Sequence, residues 1–256
     1  MKKHLVCIVL FWICTFVKSQ KVEFNPLVKA TYQSFLKFSN NYPVKPQTFI
    51  LIGNTKDYYF AGYKNYHKDL GLEEASKKGN GISLTAGDYF QERIIKKNGI
   101  TNLFGMFRDE RLRYEENVTL KWVLYSDTKI INGVKCQMAA TNKYGRRWIA
   151  YFSTGHPIPI GPYKFTGLPG LIFEIYDTKN DYHFTLIKLE EYPNKFEFNL
   201  GGYKKFNKKD FLKASYNLEF TYAGFPMDAD MRKEAEDIMT AKRKRYNNPL
   251  ELKPFE

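Results

Sequence analysis

Cysteine is scarce in this sequence: Cys7, Cys14 and Cys136 are the three in 256 residues, so a dense disulfide scaffold and a four-cysteine metal site are both excluded. The histidines beyond the first few residues, His67, His156 and His183, never stand at the i, i+4 spacing of a helical metal pair. No Gly-x-Ser-x-Gly elbow occurs, and Ser153-Thr154-Gly155-His156 only sets a serine near a histidine. Internal repeats, low-complexity linkers and apolar runs of membrane-spanning length beyond the first twenty residues are also missing, which removes solenoids, disordered linkers and polytopic membrane proteins. No metal and no cofactor is therefore expected. What remains is a chain with 43% hydrophobic and 17% aromatic residues and a net charge of +13, a composition that supports a real core.

The first residues read as an address. Met1 to His4 is short and basic, Leu5 to Val17 is apolar, and Val17-Lys18-Ser19 suits a signal peptidase, so residues 1–19 are expected to be a signal peptide cut before Gln20. The apolar run is shorter than the roughly 20 residues of a membrane helix. Bulky Phe11-Trp12-Ile13 before Cys14 argues against lipid attachment there. Losing Lys2, Lys3 and Lys18 lowers the charge from +13 to +10, and losing Cys7 and Cys14 leaves Cys136 alone. Stability must then come from packing, with Cys136 a buried, inert thiol in a strand-like run.

Residues 20–256 are expected to form one β-rich α+β domain built on an antiparallel meander, with an amphipathic helix at the C-terminal end. Val118, Leu120, Trp122 and Leu124 alternate with Thr119, Lys121 and Val123 at the strand period, predicting a strand over 118–125. Asn132-Gly133 accepts positive φ at both central positions of a tight hairpin, pairing 129–131 with 134–141. Tyr144-Gly145 marks the next turn, into an alternating run over 147–152. Residues 171–177 and 182–190 bracket Thr178-Lys179-Asn180-Asp181 as one more hairpin. Further strands are expected at 49–52, 58–63, 88–95 and 218–222, and short helices at 66–78 and 208–214. The clearest helix is 228–246, with Asp228 as N-cap and Met231, Ala235, Ile238 and Met239 forming one stripe. Its acids lie early and Lys242-Arg243-Lys244-Arg245 lie late, matching the helix dipole.

The most unusual stretch is Gly161-Pro162-Tyr163-Lys164-Phe165-Thr166-Gly167-Leu168-Pro169-Gly170, half of it glycine and proline. Pro169-Gly170 fits the centre of a type II turn, predicting positive φ at Gly170. Two readings stand side by side: a tight corner whose Leu168 and Leu171 plug a core, or a rigid loop that offers its amides and side chains to a ligand. On the second reading the ligand-binding residues are Trp148, Tyr163, Lys164, Phe165, Gly167, Leu168, Pro169 and Gly170.

Gly167-Leu168-Pro169-Gly170-Leu171-Ile172 is the hexapeptide for which the GLPGLI family is named, and the chain resembles that family of exported proteins from Bacteroidota-type bacteria. Other similar stretches are Ser83-Leu84-Thr85, Leu120-Lys121-Trp122, 127–137, Gly145-Arg146-Arg147-Trp148, Gly161-Pro162-Tyr163-Lys164-Phe165 and Asn248-Pro249-Leu250-Glu251. The resemblance is fullest over residues 83–190. It implies a periplasmic or outer-membrane-surface protein, and by fold-level analogy an open half-barrel like that of lipoprotein carriers. It implies no activity on any residue.

Two functions follow as expectations. One is noncatalytic binding of an apolar or peptide-like ligand, or of an outer-membrane protein partner, with peripheral membrane contact and a site lined by strand aromatics such as Trp148. The other is a periplasmic hydrolase using Asp, Glu or His156 as acid and base. Nucleic acid is not an expected partner: export removes it, and Lys242 to Arg245 suit a solvated helix end.

Overall fold

A computed structural model describes residues 21–72, 89–222 and 227–256. The expected signal peptide and cleavage site, Ser83-Leu84-Thr85, and residues 73–78 of the expected 66–78 helix lie outside the described residues; within them that helix runs Tyr63–Asp69 and is capped at Leu70. The described residues form a β-rich α+β fold whose main feature is an open sheet of twelve strands. One meander comprises β2 (Val28–Leu36), β3 (Lys45–Gly53), β4 (Tyr58–Gly62), β5 (Arg93–Lys97), β6 (Ile100–Phe107) and β7 (Glu110–Glu116). A second comprises β8 (Val123–Ile131), β9 (Val134–Lys143), β10 (Arg146–Ser153), β11 (Leu171–Asp177) and β12 (Tyr182–Glu191). Antiparallel pairing of β12 with β2 welds the two meanders together. A separate ribbon pairs β1 (Lys21–Phe24) with β13 (Phe196–Asn199), and β14 (Lys204–Phe206) adds a parallel edge beside β7. Helix α1 (Tyr63–Asp69) follows β4, while α2 (Lys208–Phe220) and α3 (Ala229–Arg245) close the chain before a final segment, 246–256. Among the described residues no helix is long and apolar enough to cross a membrane.

The turn chemistry reads directly into this topology. Asn132 and Gly133 have φ of 50° and 78°, and Ile131 pairs with Val134 across them. Tyr144 and Gly145, at 57° and 75°, turn β9 into β10. Period-two alternation then sorts side chains. In β3 and β4, Phe49, Leu51, Tyr58 and Phe60 enter the large core cluster, whereas Ile50, Ile52, Tyr59 and Ala61 enter a smaller one on the opposite face. That smaller cluster is covered by Phe24, Phe196 and Phe198 of the β1–β13 ribbon and by Tyr66 of α1.

Five expectations are corrected. Residues 89–92 of the strand expected over 88–95 form no strand, and β5 starts only at Arg93. Residues 117–122 alternate in burial but form no strand; Trp122 donates its indole N–H to the Thr166 carbonyl at 2.9 Å, so the segment packs on the 154–170 loop instead of a ladder. Residues 218–220 finish α2, which begins at the side-chain cap of Asn207 on the Asp210 amide. In α3 the Asp228 cap and the charge order are present, but only Ala235 and Met239 are buried; Met231 and Ile238 are exposed. That helix packs on α2, so the helical cover over the main cluster is α2, through Phe211. Gly170 has no positive φ. Its requirement is steric: a Cβ there would sit 2.0 Å from the Ser153 carbonyl oxygen, and the left-handed glycine of the loop is Gly167, at 91°.

Candidate functional site

The loop 154–170 is a plug. Ile160, Tyr163, Phe165 and Leu168 are buried within the main cluster, where the Phe165 ring lies 4.6 Å from Trp148 and the Tyr32 hydroxyl donates to the Ile172 carbonyl at 2.6 Å. Tyr163 adopts φ of 57°, an unusual conformation for a large aromatic, and is held there from both ends. Its carbonyl accepts from the Tyr58 hydroxyl at 2.9 Å, and its own hydroxyl donates to Glu251 at 2.5 Å.

Beside the plug lies a buried ionic network. The Lys164 side chain has no solvent exposure, and its ammonium donates to Tyr114 Oη at 2.8 Å and Glu251 Oε1 at 2.6 Å and pairs with Glu116. Lys208 from α2 closes the square, 2.8 Å from Glu116 and 3.0 Å from Glu251. Three acceptors consume the three N–H bonds of Lys164, which makes it a fastening and not a free nucleophile. Burial pushes the Glu116 carboxyl up, but Lys164 and Lys208 more than offset this and hold it below the ordinary carboxylate range. Burial, and then Glu251, drives the Tyr163 and Tyr114 phenols well above theirs.

A second fastening holds the C-terminal segment. Buried Arg146 reaches Asp177 at 3.0 Å and Asp181 at 3.2 Å, and also donates to Asn248 Oδ1 and to the carbonyls of Pro249 and Leu250 at 2.7 to 2.9 Å. Tyr182 Oη donates to the Asn248 carbonyl at 2.5 Å. The stretches 145–148, 161–165 and 248–251, far apart in sequence, therefore meet in one polar frame.

On the far side of that frame the described residues leave the sheet unfilled. A cavity of about 810 Å³ lies between β6 and β7, α2, residues 89–92 and the C-terminal segment. Its walls include Phe38, Phe90, Leu103, Phe107, Tyr114, Tyr163, Phe211, Tyr216, Phe220 and Tyr246, with Glu92, Glu219 and Glu251 as the charged residues. Gly105 gives room for the α2 contact, since a Cβ there would approach the Phe107 ring to 2.5 Å and Phe211 to 3.3 Å. Glu92 is only partly exposed, and its Oε2 accepts the Gln91 amide at 3.1 Å. Burial holds its carboxyl above the usual range, opposed in part by hydrogen bonds from the backbone amides of Glu92 and Gln91 and, more weakly, by Lys164. A shallower hollow of about 420 Å³, between Tyr66, Leu70 and residues 190–194, has fewer apolar walls.

The expected ligand residues divide across this boundary. Tyr163 lines the cavity; Trp148, Lys164, Phe165, Leu168 and Gly170 are buried behind it, and Gly167 and Pro169 are exposed on the loop's outer turn. Glu92, Glu116, Lys208 and Glu251 were not singled out from sequence as site residues; the one available signal is the acid closing Asn248-Pro249-Leu250-Glu251, opposite in charge to Lys164 of another shared stretch. The His156 ring lies 5.2 Å from that of Phe173, tilted at 58°, and Glu174 is occupied by Lys129 at 2.6 Å and His183 at 3.0 Å. Among the described residues no three of His, Cys, Asp and Glu group as metal ligands.

Comparison with known proteins yields a fold. No family model matches the chain, and no curated protein does. Two crystal forms of PNGF-II are similar over 75% of this chain, at 12% identity and TM-scores of 0.56 and 0.54. The chain spans about one third of the length of PNGF-II, 34% and 33% in the two forms. At that identity the likeness concerns architecture alone.

Proposed function

We propose that the protein is an exported envelope protein of the GLPGLI type and that it binds, without catalysis, an apolar or peptide-like ligand in the cavity beneath α2. One observation carries this reading: a hollow of about 810 Å³, within the roughly 300–1,000 Å³ range of small-molecule sites, lies beside a densely plugged core and is walled mostly by aromatic and aliphatic side chains. A fold that packs one stretch of its sheet with a dedicated loop and leaves the adjoining stretch open has space in reserve. Burying an apolar ligand against those walls gains about 25 cal/mol per Å² of surface removed from water. The GLPGLI assignment rests on the hexapeptide and on the meeting of three other shared stretches, 145–148, 161–165 and 248–251, in one frame. Export rests on residues 1–19, and an envelope protein partner is the rival occupant within this reading.

The test is occupancy. Ser215 on α2 lines the cavity, and Ser215→Trp would fill it while keeping the helix. Saturable binding of an environment-sensitive apolar dye by the native protein, lost in Ser215→Trp with an unchanged near-UV spectrum, supports the reading. Equal binding by both proteins would sink it.

A further inference from the structure

The charge on the cavity wall runs against the charge of the chain. Lys and Arg outnumber Asp and Glu by 40 to 27, yet among the described residues the charged side chains that line the cavity are three glutamates, with no Lys, Arg or His. Two of the three are neutralised. Glu251 belongs to the Lys164 and Lys208 network, and Glu219 pairs with Lys242 at 2.6 Å. Among the described residues Glu92 has no ion-pair partner; its carboxylate accepts the backbone amides of Gln91, at 3.1 Å, and of Glu92 itself. A carboxylate held in a mostly apolar hollow without a counter-ion is costly, and the cost falls when a cation arrives. The aromatic walls favour the same sign of charge, because ring faces attract ammonium groups. Phe38, Phe90, Phe220 and Tyr246 all stand on the lining, and Phe38 and Phe220 lie 6.2 Å and 6.0 Å from Tyr246.

We propose that the ligand is a small organic cation, a protonated amine or quaternary ammonium on an apolar body, with its charged end at Glu92 and its body against the α2 wall. The proposal rests on the binding reading above and specifies the ligand's charge. A fatty acid or other anionic amphiphile would bring like charge against Glu92 and is disfavoured. The volume suits a small molecule, and the frame of Arg146 and Lys164 fixes the cavity floor.

The experiment uses three ligands with one ten-carbon chain, decyltrimethylammonium, decanol and decanoate, titrated calorimetrically below micelle formation into the native protein and Glu92→Gln. The expected result is saturable binding of the ammonium about tenfold tighter than decanol, with decanoate weakest. Glu92→Gln should remove most of that tenfold preference while decanol affinity stays within about twofold. If decanol binds the native protein as tightly as the ammonium, or if Glu92→Gln retains the preference, the cation assignment is overturned and the binding cavity stands. If none of the three binds the native protein, the binding reading itself fails. Thermal unfolding of both proteins alone confirms that the variant is folded.

Discussion

One face of the sheet is finished in two different ways. Over β9 to β12 the loop 154–170 fills it with Phe165, Leu168 and Tyr163, against a fully buried Trp148. Over β6 and β7 the same face meets α2 at Phe211 and otherwise borders a cavity. Between the two runs the Lys164–Glu116–Glu251–Lys208 network. The difference teaches where rigidity is kept. The filled region spends buried charge and a strained Tyr163 on immobilising a loop, and that loop forms the fixed wall of the region left open.

The comparison breaks most visibly at Arg146. Removing it with Arg146→Ala leaves Asp177 without a counter-ion, leaves Asp181 only Lys37, and frees the carbonyls of Pro249 and Leu250, and we expect a loss of about 3–5 kcal/mol by denaturant unfolding. Asp181 is held below its ordinary carboxyl range, where burial pushes up and Asn248, Arg146 and Lys37 more than compensate. A depressed carboxyl stabilises above its unfolded value and loses that contribution as pH falls through the folded one, so the native protein should weaken in acid and Arg146→Ala less steeply. An unchanged unfolding midpoint would mean that the C-terminal segment is not held by this frame.

Next in size is the contrast between matched truncations. Phe165→Ala opens a void in the plug and should cost about 3–5 kcal/mol, whereas Phe220→Ala, on the partly exposed cavity wall, should cost about 1 kcal/mol or less. Equal losses in thermal melts would erase the distinction between filled and open regions. Gly170→Ala follows at about 1–3 kcal/mol, from the clash with the Ser153 carbonyl and not from φ. Gly167→Ala, at a positive φ with open space around it, isolates the backbone term and should cost about 1 kcal/mol.

That pair of glycines also marks what was legible in the sequence. Local signals read well: Asn132-Gly133 and Tyr144-Gly145 set hairpins, and β11 is found at 171–177, the range that its turns predict. Where an outcome depends on a distant partner, local pattern misleads. Leu120 and Trp122 alternate like a strand, but Trp122 finds its hydrogen bond on the plug loop at Thr166. Pro169-Gly170 has the composition of a type II turn, but the glycine is needed because β10 ends against it at Ser153. The candidate site is less legible still. Tyr163 and Lys164 stand out through their proline- and glycine-rich context, while Glu92, Glu116, Lys208 and Glu251 come from four other segments joined only by folding.

The smallest expected effect sharpens the comparison most, because its sign is unusual. In the filled region, polar side chains such as Lys164 and Arg146 are matched by counter-charges, so any substitution should destabilise. Glu92 is a carboxylate that the fold holds at a cost: burial raises its folded pKa above the unfolded one, and the backbone amides of Glu92 and Gln91 offset this only in part. Below the unfolded value the carboxyl is protonated in both states and costs nothing. As pH rises through the folded value, the unfolded chain ionises more readily, and stability is lost. Glu92→Gln should therefore stabilise the ligand-free protein at neutral pH by no more than about 1–2 kcal/mol, and the gain should shrink toward zero in acid. Melting curves of the two proteins between pH 4 and pH 8 measure it. A variant less stable at every pH would make Glu92 a structural residue like those of the filled region, and the open part of the sheet would lose its distinction as ground kept for a ligand at the expense of stability.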